Sequence, residues 1–319
     1  MKCPIHWLVI GIGDITTKRV IPAILEEPRS RLYAILRRHP AKVEPYQAKV
    51  FTDLGQALNE KLINAVYVAS PVFLHAPQTI AALRAGRHVL CEKPVAMNYT
   101  EACSMVEAAR TAGKVLGIAY CRRTYPKVKR AMELIRQGVI GQPLFAYATC
   151  HDWFNAEDGR RAWLLEREKA GGGPLYDIAS HRIDLLNYFF GEPAEVRAAL
   201  SNAVHQGQVE DNATVLIEYK SRVRGIVDVR WNSRVWRDEF RVIGTEGEMD
   251  LTPLNGPAIV YPGGREDHPT HANIHFPCVK NFVDAVLDGT PLLSSGETAI
   301  WTDWVTQKAV ECAARTENP

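Results

Sequence analysis

Residues 7–16 of the chain read WLVIGIGDIT, a short apolar run that ends at two closely spaced glycines. The residues that follow, 20–25, carry apolar side chains at the spacing of a helix. Strand, glycine turn and helix in this order are the setting of a dinucleotide-binding turn, because N–H groups at the helix start can hold a pyrophosphate. Thr16 stands where that pattern has its third glycine, so an ordinary strand-to-helix turn is the alternative interpretation.

Further strands and helices alternate after this turn. Strands are predicted at 31–36, 64–69, 87–91 and 115–119, with helices at 75–85 and 98–112 between them. This alternation predicts a parallel, doubly wound sheet, in which ligands bind outside the carboxyl ends of the strands. The residues at those ends are Gly11, Arg37, Ser70, Glu92, Lys93 and Tyr120.

Two arginines, Arg37 and Arg38, follow the second predicted strand. An NAD site places an acid there to bind the ribose 2′-hydroxyl, whereas guanidinium groups suit the 2′-phosphate of NADP. The pair therefore favours NADP(H), with NAD(H) left open. A solvated basic turn is the alternative interpretation of these two residues.

The pattern changes after about residue 120. A helix at 128–137 and a strand at 144–150 lead into an irregular stretch at 151–169. Five strands then follow one another directly, near 194–203, 212–220, 223–231, 238–244 and 247–251. Two helices close the sequence, near 277–288 and 296–315. The predicted fold is α/β: an N-terminal Rossmann doubly wound parallel sheet in 1–120, followed by an α+β domain with a large, mostly antiparallel sheet in 121–319. We expect the second domain to bind substrate and mediate oligomerisation, with a cleft between the domains.

Residues 171–184 read GGGPLYDIASHRID. Three glycines permit close approach of a ligand or a positive φ, and Pro174 suits the first turn of a helix. The apolar residues that follow have helical spacing, which places Asp177 and His181 at positions i and i+4. A carboxylate beside an imidazole can fix its tautomer, so the pair predicts an orienting acid and a general acid/base. The alternative is a helix start with an acidic first turn and a histidine without a catalytic role.

The composition argues against several functional classes. The 319 residues, 46% hydrophobic and 23% charged, are typical of a globular protein. A net charge of +2 without a basic tract gives no indication of nucleic-acid or membrane binding. The N-terminal segment lacks the plan of a signal peptide, and no run approaches the roughly 18 apolar residues of a membrane span. Seven scattered cysteines favour free thiols in a reducing cytoplasm, and Cys91 is predicted to be a buried apolar residue.

Three histidines, His268, His271 and His275, lie close together in a proline- and glycine-rich loop. They have no cysteine or carboxylate at ligand spacing, so we predict no metal site there.

Four segments together resemble the glucose–fructose oxidoreductase / inositol dehydrogenase (Gfo/Idh/MocA) family over nearly the whole chain. They are residues 64–75, NAVYVASPVFLH; residues 82–94, ALRAGRHVLCEKP; the glycine-rich segment 171–184; and residues 273–275, NIH, with 282–285, FVDA. The lysine signature at 82–94 is highly specific. The resemblance implies an NAD(P)-dependent dehydrogenase or reductase that acts on CH–OH groups of sugars, cyclitols or related polyols.

The functional residues of that family carry over to matching positions. Lys93 would contact the nicotinamide ribose and the reacting oxygen of the substrate. His181 would exchange a proton with that oxygen, and Asp177 would position the pair. The remaining cofactor-binding positions would be Gly11, Gly13, Asp14, Ile15, Ser70, Pro71, Phe73, His75 and Glu92.

Substrate contacts are expected from Tyr120, Arg122, Asp152 and Trp163, together with Asp177 and His181. Asp152 and Trp163 belong, with Trp153, Phe154 and Arg160, to the stretch before the glycines, where packing of a domain edge is the alternative. Leu164 is a departure, because many sugar-reducing relatives carry an arginine there. Two other functions are left open: a glycosidase that retains NAD and uses transient oxidation, and a nucleotide-binding sensor without catalysis.

A large sheet with helices on one face leaves its other face open. We expect that open face to carry Val215, Ile217, Val227, Val229 and Trp231. An uncovered apolar face of this size usually marks an interface, so a homodimer or homotetramer through the C-terminal sheet is predicted.

Overall fold

The computed structural model describes residues 4–39, 46–159, 161–205 and 207–317. They form two compact units that interleave along the chain. The first unit holds the described residues up to Ala96, together with Thr100–Cys121 and His271–Ile300. The second holds Met97–Tyr99, the described part of Arg122–Thr270, and the residues from Trp301 onward. The segment 271–300, which we placed in the second domain from the sequence, thus belongs to the first unit.

The first unit is built on a parallel sheet. Its strands are β1 Ile5–Ile10, β2 Ser30–Leu36, β3 Lys49–Phe51, β4 Ala65–Val68, β5 His88–Cys91 and β6 Leu116–Ile118. Within the described residues these six strands lie in the order β3-β2-β1-β4-β5-β6. This is the strand order of a dinucleotide-binding doubly wound fold, so the predicted Rossmann sheet is confirmed. The sequence did not indicate β3, because it is three residues long and none of them is fully buried.

The register of this sheet aligns the strand ends. Ile10 pairs with both Leu36 and Val68, Val68 pairs with Cys91, and Cys91 pairs with Ile118. The residues that follow these positions therefore leave the sheet at one edge. This is the carboxyl edge, where ligands of doubly wound sheets bind.

Helical segments follow the predicted pattern closely. In chain order they are a turn at Thr16–Val20, α1 Ile21–Glu26, α2 Leu54–Leu58, a turn at Val72–Leu74, α3 His75–Arg84, α4 Tyr99–Ala112, a turn at Cys121–Thr124, α5 Pro126–Arg136, a turn at Ala162–Leu165, α6 Arg167–Ala170, a turn at Leu175–Ala179, α7 Ser180–Phe190, α8 Phe276–Asp288 and α9 Gly296–Glu317. Across the described residues, no helix is long and apolar enough to cross a membrane.

Helix α8 belongs to the first unit because its apolar side packs into that unit's core. Phe282 is fully buried, and its ring centroid lies 5.3 Å from that of Trp7 in β1. On the solvent side, Arg29 forms ion pairs with Asp284 and Asp288 of the same helix. Helix α8 thus completes the core of the N-terminal sheet, although it lies near the other end of the sequence.

The second unit is built on a sheet of eight strands in the described part of the chain. They are β7 Pro143–Trp153, β8 Pro193–Ser201, β9 Asn212–Tyr219, β10 Arg224–Arg230, β11 Asn232–Gly244, β12 Glu248–Asp250, β13 Ala258–Tyr261 and β14 Gly264–Asp267. Their order is β14-β13-β12-β11-β7-β10-β9-β8. Among the described strands, only the central pair β7–β10 is parallel, so the prediction of a large, mostly antiparallel sheet is confirmed.

The expected open face of this sheet was assigned to the wrong residues. Val215, Ile217, Val227 and Val229 are fully buried, and Trp231 is 2% exposed. On their face, the Leu186 side chain of α7 lies 3.0 Å from the position that a Cβ on Gly225 would take. Because side chains of a strand alternate, the other face instead carries half-buried residues of the intervening positions, among them Leu216, Ile226 and Tyr147.

Candidate active site

The glycine turn after β1 is closely packed. A Cβ on Gly11 would lie 2.6 Å from the carbonyl oxygen of Ala69, and Gly11 has a φ of +89°. Thr16, in the place of the third glycine, is fully buried; its hydroxyl accepts from the Gly13 N–H at 2.7 Å and donates to the Gly13 carbonyl at 2.8 Å. Glycine is therefore required at position 11, and Thr16 stabilises the turn that a glycine would leave flexible. Gly13, Asp14 and Ile15 are solvent-accessible at this turn.

The ends of β2 and β4 meet this turn. The Gly11 N–H donates to the Leu36 carbonyl at 3.0 Å, which places Arg37 beside the turn. Arg37 is half-buried and Arg38 is exposed. A closely packed glycine turn at the carboxyl edge of the sheet fits a bound dinucleotide.

His75 links two of the predicted cofactor-binding segments. Its Nε2 lies 2.9 Å from the Ser70 carbonyl oxygen, and its Nδ1 lies 2.9 Å from the Pro94 carbonyl oxygen. Burial lowers the pKa of this histidine, although both carbonyl groups favour its charged form. His75 is therefore a fully enclosed residue that holds the turn after β4 against the turn after β5. In the turn after β4, Pro71 is half-buried and Phe73 is exposed.

Glu92 is the centre of a buried network beside Lys93. Its carboxylate accepts from the Tyr67 hydroxyl at 2.7 Å and from the Lys93 N–H at 3.2 Å, and it lies 3.4 Å from Nε2 of His275. Burial alone would raise the pKa of this carboxyl, but the contacts from His275 and Tyr67 and the charge of Lys93 outweigh it and lower the pKa. Glu92 is thus ionised and fixes the backbone of Lys93, whose side chain is half-buried.

The second unit carries Asp177 and His181 on one continuous helix. Asp177 lies in a first turn of π-helical geometry, Leu175–Ala179, and His181 lies at the start of α7. Arg182 forms a buried ion pair with Asp238 of β11 at 2.7 Å, which ties the helix to the sheet directly after His181. Both predicted residues are half-buried, so their side chains lie near the surface of this unit.

Asp177 has a partner that we did not predict. The Arg161 guanidinium lies 3.3 Å from its carboxylate and 4.9 Å from the centre of the Phe154 ring. The Phe154 ring stacks on Trp231 at 4.5 Å, so the guanidinium rests on a rigid aromatic base. Arg160, which we named from the sequence, lies outside the described residues.

Only one of the three glycines at 171–173 has a positive φ. The other two leave room for neighbouring protein atoms. Gly171 has a φ of +84°, but Gly172 is needed because the Tyr176 ring lies 2.3 Å from the position of its missing Cβ. At Gly173 the carbonyl oxygen of Glu210 lies 1.9 Å from that position. The Glu210 carboxylate also accepts from the Gly173 and Leu175 N–H groups, at 2.8 and 3.1 Å.

The other predicted substrate contacts have varied environments. Tyr120 is fully buried in the first unit, and Arg122 and Trp163 are half-buried. Asp152 is exposed and accepts from the Trp153 N–H at 2.8 Å. The three histidines that we considered as metal ligands have separate partners: His268 contacts Glu266, His271 contacts Glu26, and His275 contacts Glu92. Within the described residues, no group of three or more potential ligands could hold a metal ion.

Sequence reasoning missed Glu210, Arg161 and the partner of Glu92. Glu210 precedes a strand and has the signature of a solvated turn residue, and Arg161 lies in a stretch without periodicity. The sequence placed His275 among three neighbouring histidines and in the segment 273–275 of the family resemblance, but neither indicates its contact with Glu92. No local pattern indicates these roles, because each depends on a contact that is distant in sequence.

Two family models match this chain, one over each of its predicted domains. The family described as oxidoreductase family, NAD-binding Rossmann fold, matches residues 5–120, and the GFO/IDH/MocA C-terminal domain matches residues 128–250. The chain is 31% identical to 1,5-anhydro-D-fructose reductase of Ensifer adhaerens over 313 residues, which cover 93% of this chain and 92% of the relative. It is 28% identical to 2,7-anhydro-N-acetylneuraminate hydratase of Escherichia coli (strain K12), over 68% of this chain and 59% of that protein.

A levoglucosan dehydrogenase solved in complex with NADH has the same fold. The two structures superpose with a TM-score of 0.86 at 23% sequence identity. The match covers 98% of this chain and 97% of the dehydrogenase chain. The two family matches together span more than half of the sequence, in the order in which the two domains were predicted. The chain therefore belongs to the Gfo/Idh/MocA family of NAD-binding oxidoreductases.

Proposed function

We propose that the protein transfers hydride between a nicotinamide cofactor and a carbon of a sugar, cyclitol or related polyol that carries the reacting hydroxyl or carbonyl. The observation that carries this proposal is the Asp177/His181 helix in the second unit, in a chain whose first unit holds Lys93 against a buried carboxylate. A bound NAD(P) supplies or accepts the hydride. The residues of the chain manage the charge and the proton.

Each of the three catalytic residues has a distinct part in this proposal. Lys93, as a cation, stabilises negative charge that develops on the substrate oxygen. His181 takes the proton from a hydroxyl during oxidation and returns it during reduction. Asp177 orients His181, and its own position is supported by Arg161 at 3.3 Å. Asp177, Tyr120, Arg122, Asp152 and Trp163 are the proposed substrate contacts.

We propose that NADP(H) is preferred over NAD(H). Arg37 follows β2 beside the glycine turn, where a guanidinium suits a 2′-phosphate, and Arg38 adds a second positive charge. The turn residues Gly11, Gly13, Asp14 and Ile15 would hold the pyrophosphate. Ser70, Pro71, Phe73 and Lys93 would line the remainder of the site, and the buried His75 and Glu92 would hold that lining in place.

The sugar class is supported by the relatives. The reductase from Ensifer adhaerens is named for 1,5-anhydro-D-fructose, and the dehydrogenase of the same fold for levoglucosan. We therefore propose a small carbohydrate, with anhydro sugars as the first substrates to test.

A second candidate keeps the same residues but changes the net reaction. The Escherichia coli relative is named as a hydratase of an anhydro sugar. A chain that retains NAD and oxidises its substrate only transiently could add or eliminate at a glycosidic carbon with Lys93, Asp177 and His181 in the same roles. This reaction would leave the total amount of reduced nicotinamide unchanged after each turnover.

We also propose a homodimer or homotetramer formed through the half-buried face of the eight-stranded sheet. On that face Leu216, Ile226 and Tyr147 lie side by side on neighbouring strands. We propose a cytoplasmic location, because seven scattered cysteines without CxxC spacing suit a reducing compartment.

The function is tested by a substrate screen with each cofactor. Purified protein is mixed with 1,5-anhydro-D-fructose, levoglucosan, aldoses, ketoses and polyols, and the absorbance of reduced nicotinamide is followed. Steady production or consumption of reduced cofactor with one of these sugars is expected. Turnover of a glycoside by tightly retained cofactor, without net change in absorbance, would favour the second candidate instead. Failure of all substrates would count against both.

A further inference from the structure

Glu210 occupies the start of the helix that carries Asp177 and His181. The first N–H groups of a helix have no partner within it and must be satisfied by other groups. Here Oε1 of Glu210 accepts from Gly173 at 2.8 Å and from Leu175 at 3.1 Å. The side chain is deeply buried, so neither bond competes with bulk water.

The glycine-rich segment is shaped around this residue. The Glu210 carbonyl oxygen would lie 1.9 Å from a Cβ on Gly173, so the two backbones are in direct contact. Any side chain at position 173 would push the helix start away from Glu210. The close packing explains a glycine that we had considered as a place for a ligand.

Glu210 is itself held in place by its neighbour. The Asp211 carboxylate accepts from the N–H groups of Ala203, Val204 and His205, at 3.0, 2.6 and 2.8 Å. Strand β9 begins at the next residue and is paired on both sides. The carboxylate that holds the helix start is thus attached to the rigid sheet.

The helix is therefore fixed on both sides of its two functional residues. Before Asp177, Glu210 holds the N–H groups of positions 173 and 175. After His181, Arg182 is paired with Asp238 in the sheet. Because a displacement of about 1 Å in a catalytic group can lower a rate about a hundredfold, both anchors bear on catalysis.

We propose that Glu210 is a positioning residue that sets the location of Asp177 and His181 through its two bonds to the start of their helix. The inference rests on the proposed function of that pair. Glu210 acts as a hydrogen-bond acceptor here, and its effect reaches the substrate only through the helix.

The test compares three substitutions of Glu210 with a matched control. Glu210→Gln keeps an oxygen at the same reach, Glu210→Asp shortens the side chain by one methylene, and Glu210→Ala removes the acceptor. The control is Glu133→Ala, which removes an exposed carboxylate of α5 in the same unit, where its partner is Arg130. The measurements are kcat, KM, cofactor affinity by fluorescence, and the titration of the His181 ring by NMR, assigned from its loss in His181→Gln.

Glu210→Ala and Glu210→Asp are expected to lower kcat by about ten- to a hundredfold and to shift the His181 titration. Cofactor affinity should stay within about twofold of native. The two hydrogen bonds of Glu210 join residues of the second unit, whereas the proposed cofactor-binding residues lie in the first. Glu210→Gln and Glu133→Ala should retain most of the rate. If Glu210→Ala does not fold, Glu210→Asp against Glu210→Gln provides the same comparison.

A folded Glu210→Ala or Glu210→Asp protein with native kcat and a native His181 titration would overturn the proposal. Equal loss of rate in Glu210→Gln and Glu210→Ala would also overturn it, because the amide still provides an acceptor. The proposed function fails separately, through native activity of His181→Ala. In that event the NMR titration still decides whether Glu210 positions the helix.

Discussion

The carboxylate of Glu92 lies 3.4 Å from Nε2 of His275, although the two residues come from opposite halves of the sequence. Both are buried, and the Glu92 carboxylate also holds the N–H of Lys93. A residue of the C-terminal segment thus supports the lysine that we place in the catalytic site. The contact explains why helix α8 and the loop before it belong to the first unit.

His275→Leu is expected to destabilise the protein strongly. Leucine removes a donor next to the buried Glu92 carboxylate, and a buried polar group that loses a partner typically costs about 1–3 kcal/mol. His275→Gln keeps a donor near Glu92 and should lose less. Urea denaturation followed by fluorescence measures the free energy of unfolding, and equal stability of His275→Leu and native protein would contradict the supporting role.

Substitutions of His181 and Lys93 separate the effect on the chemical step from the effect on cofactor binding. His181→Ala should lower kcat by about 10²- to 10⁴-fold, the usual size of a general acid/base contribution, and leave cofactor affinity nearly native. Lys93→Ala should lower kcat at least as much and also weaken cofactor binding. His268→Ala, whose imidazole contacts Glu266, is the control for loss of a histidine. Single-turnover hydride transfer in His181→Ala within threefold of native would mean that this histidine is structural.

Arg37→Ala should reduce the preference for NADP(H). A charge-assisted contact to phosphate contributes roughly 1.5–3 kcal/mol, hence about ten- to a hundredfold in affinity. NADP binding should weaken by that factor while NAD binding stays nearly constant. Arg31→Ala, an exposed arginine at the opposite end of β2, is the control. Calorimetry that finds native protein binding NAD as tightly as NADP would refute the preference.

His88 should make the first unit less stable in acid. Burial, with a smaller effect of Lys114, lowers the pKa of His88 to about 4, and its Nδ1 accepts from the Val115 N–H at 3.1 Å. The folded pKa lies below the unfolded value of about 6.5, so the unfolded state binds more protons between these values. Stability is therefore lost as pH falls from about 6.5 to about 4.

His88→Asn tests this dependence, because the amide oxygen can accept the same bond without titrating. Melting temperatures of native protein and the variant are compared between pH 7 and pH 4.5. The variant should lose less over this interval than native protein does. Parallel losses in the two proteins would assign the acid sensitivity to other groups.

Ile226→Glu should dissociate the proposed oligomer. The substitution places a charge between Leu216 and Tyr147 on the half-buried face of the sheet, where an interface would bury it. Val235→Glu, at an exposed residue of β11, is the control. Light scattering should give a monomer mass for the first variant and the native mass for the second. A native protein that is already monomeric at micromolar concentration would contradict the assembly.

Local patterns in the sequence predicted the architecture and the Asp177/His181 pair, whereas Lys93 and most of the other candidate residues followed from the family resemblance. The apolar run at 7–10 with its glycines, the alternation of strands and helices to residue 119, and the helix with Asp177 and His181 were all predicted from spacing. These features depend on side-chain period and on the conformational freedom of glycine, which act within a few residues. The identity of the cofactor-binding fold was therefore readable before any long-range contact was known.

Tertiary structure alone decided which face of the second sheet is covered and which residues support the site. Val215 and Leu216 are adjacent in β9, and alternation shows only that they face opposite sides; the packing of α7 decides which side is buried. The bond from Glu210 to Gly173 and the contact of His275 with Glu92 join residues distant in sequence. No periodic pattern encodes such contacts, because they form only when separately specified elements pack against one another.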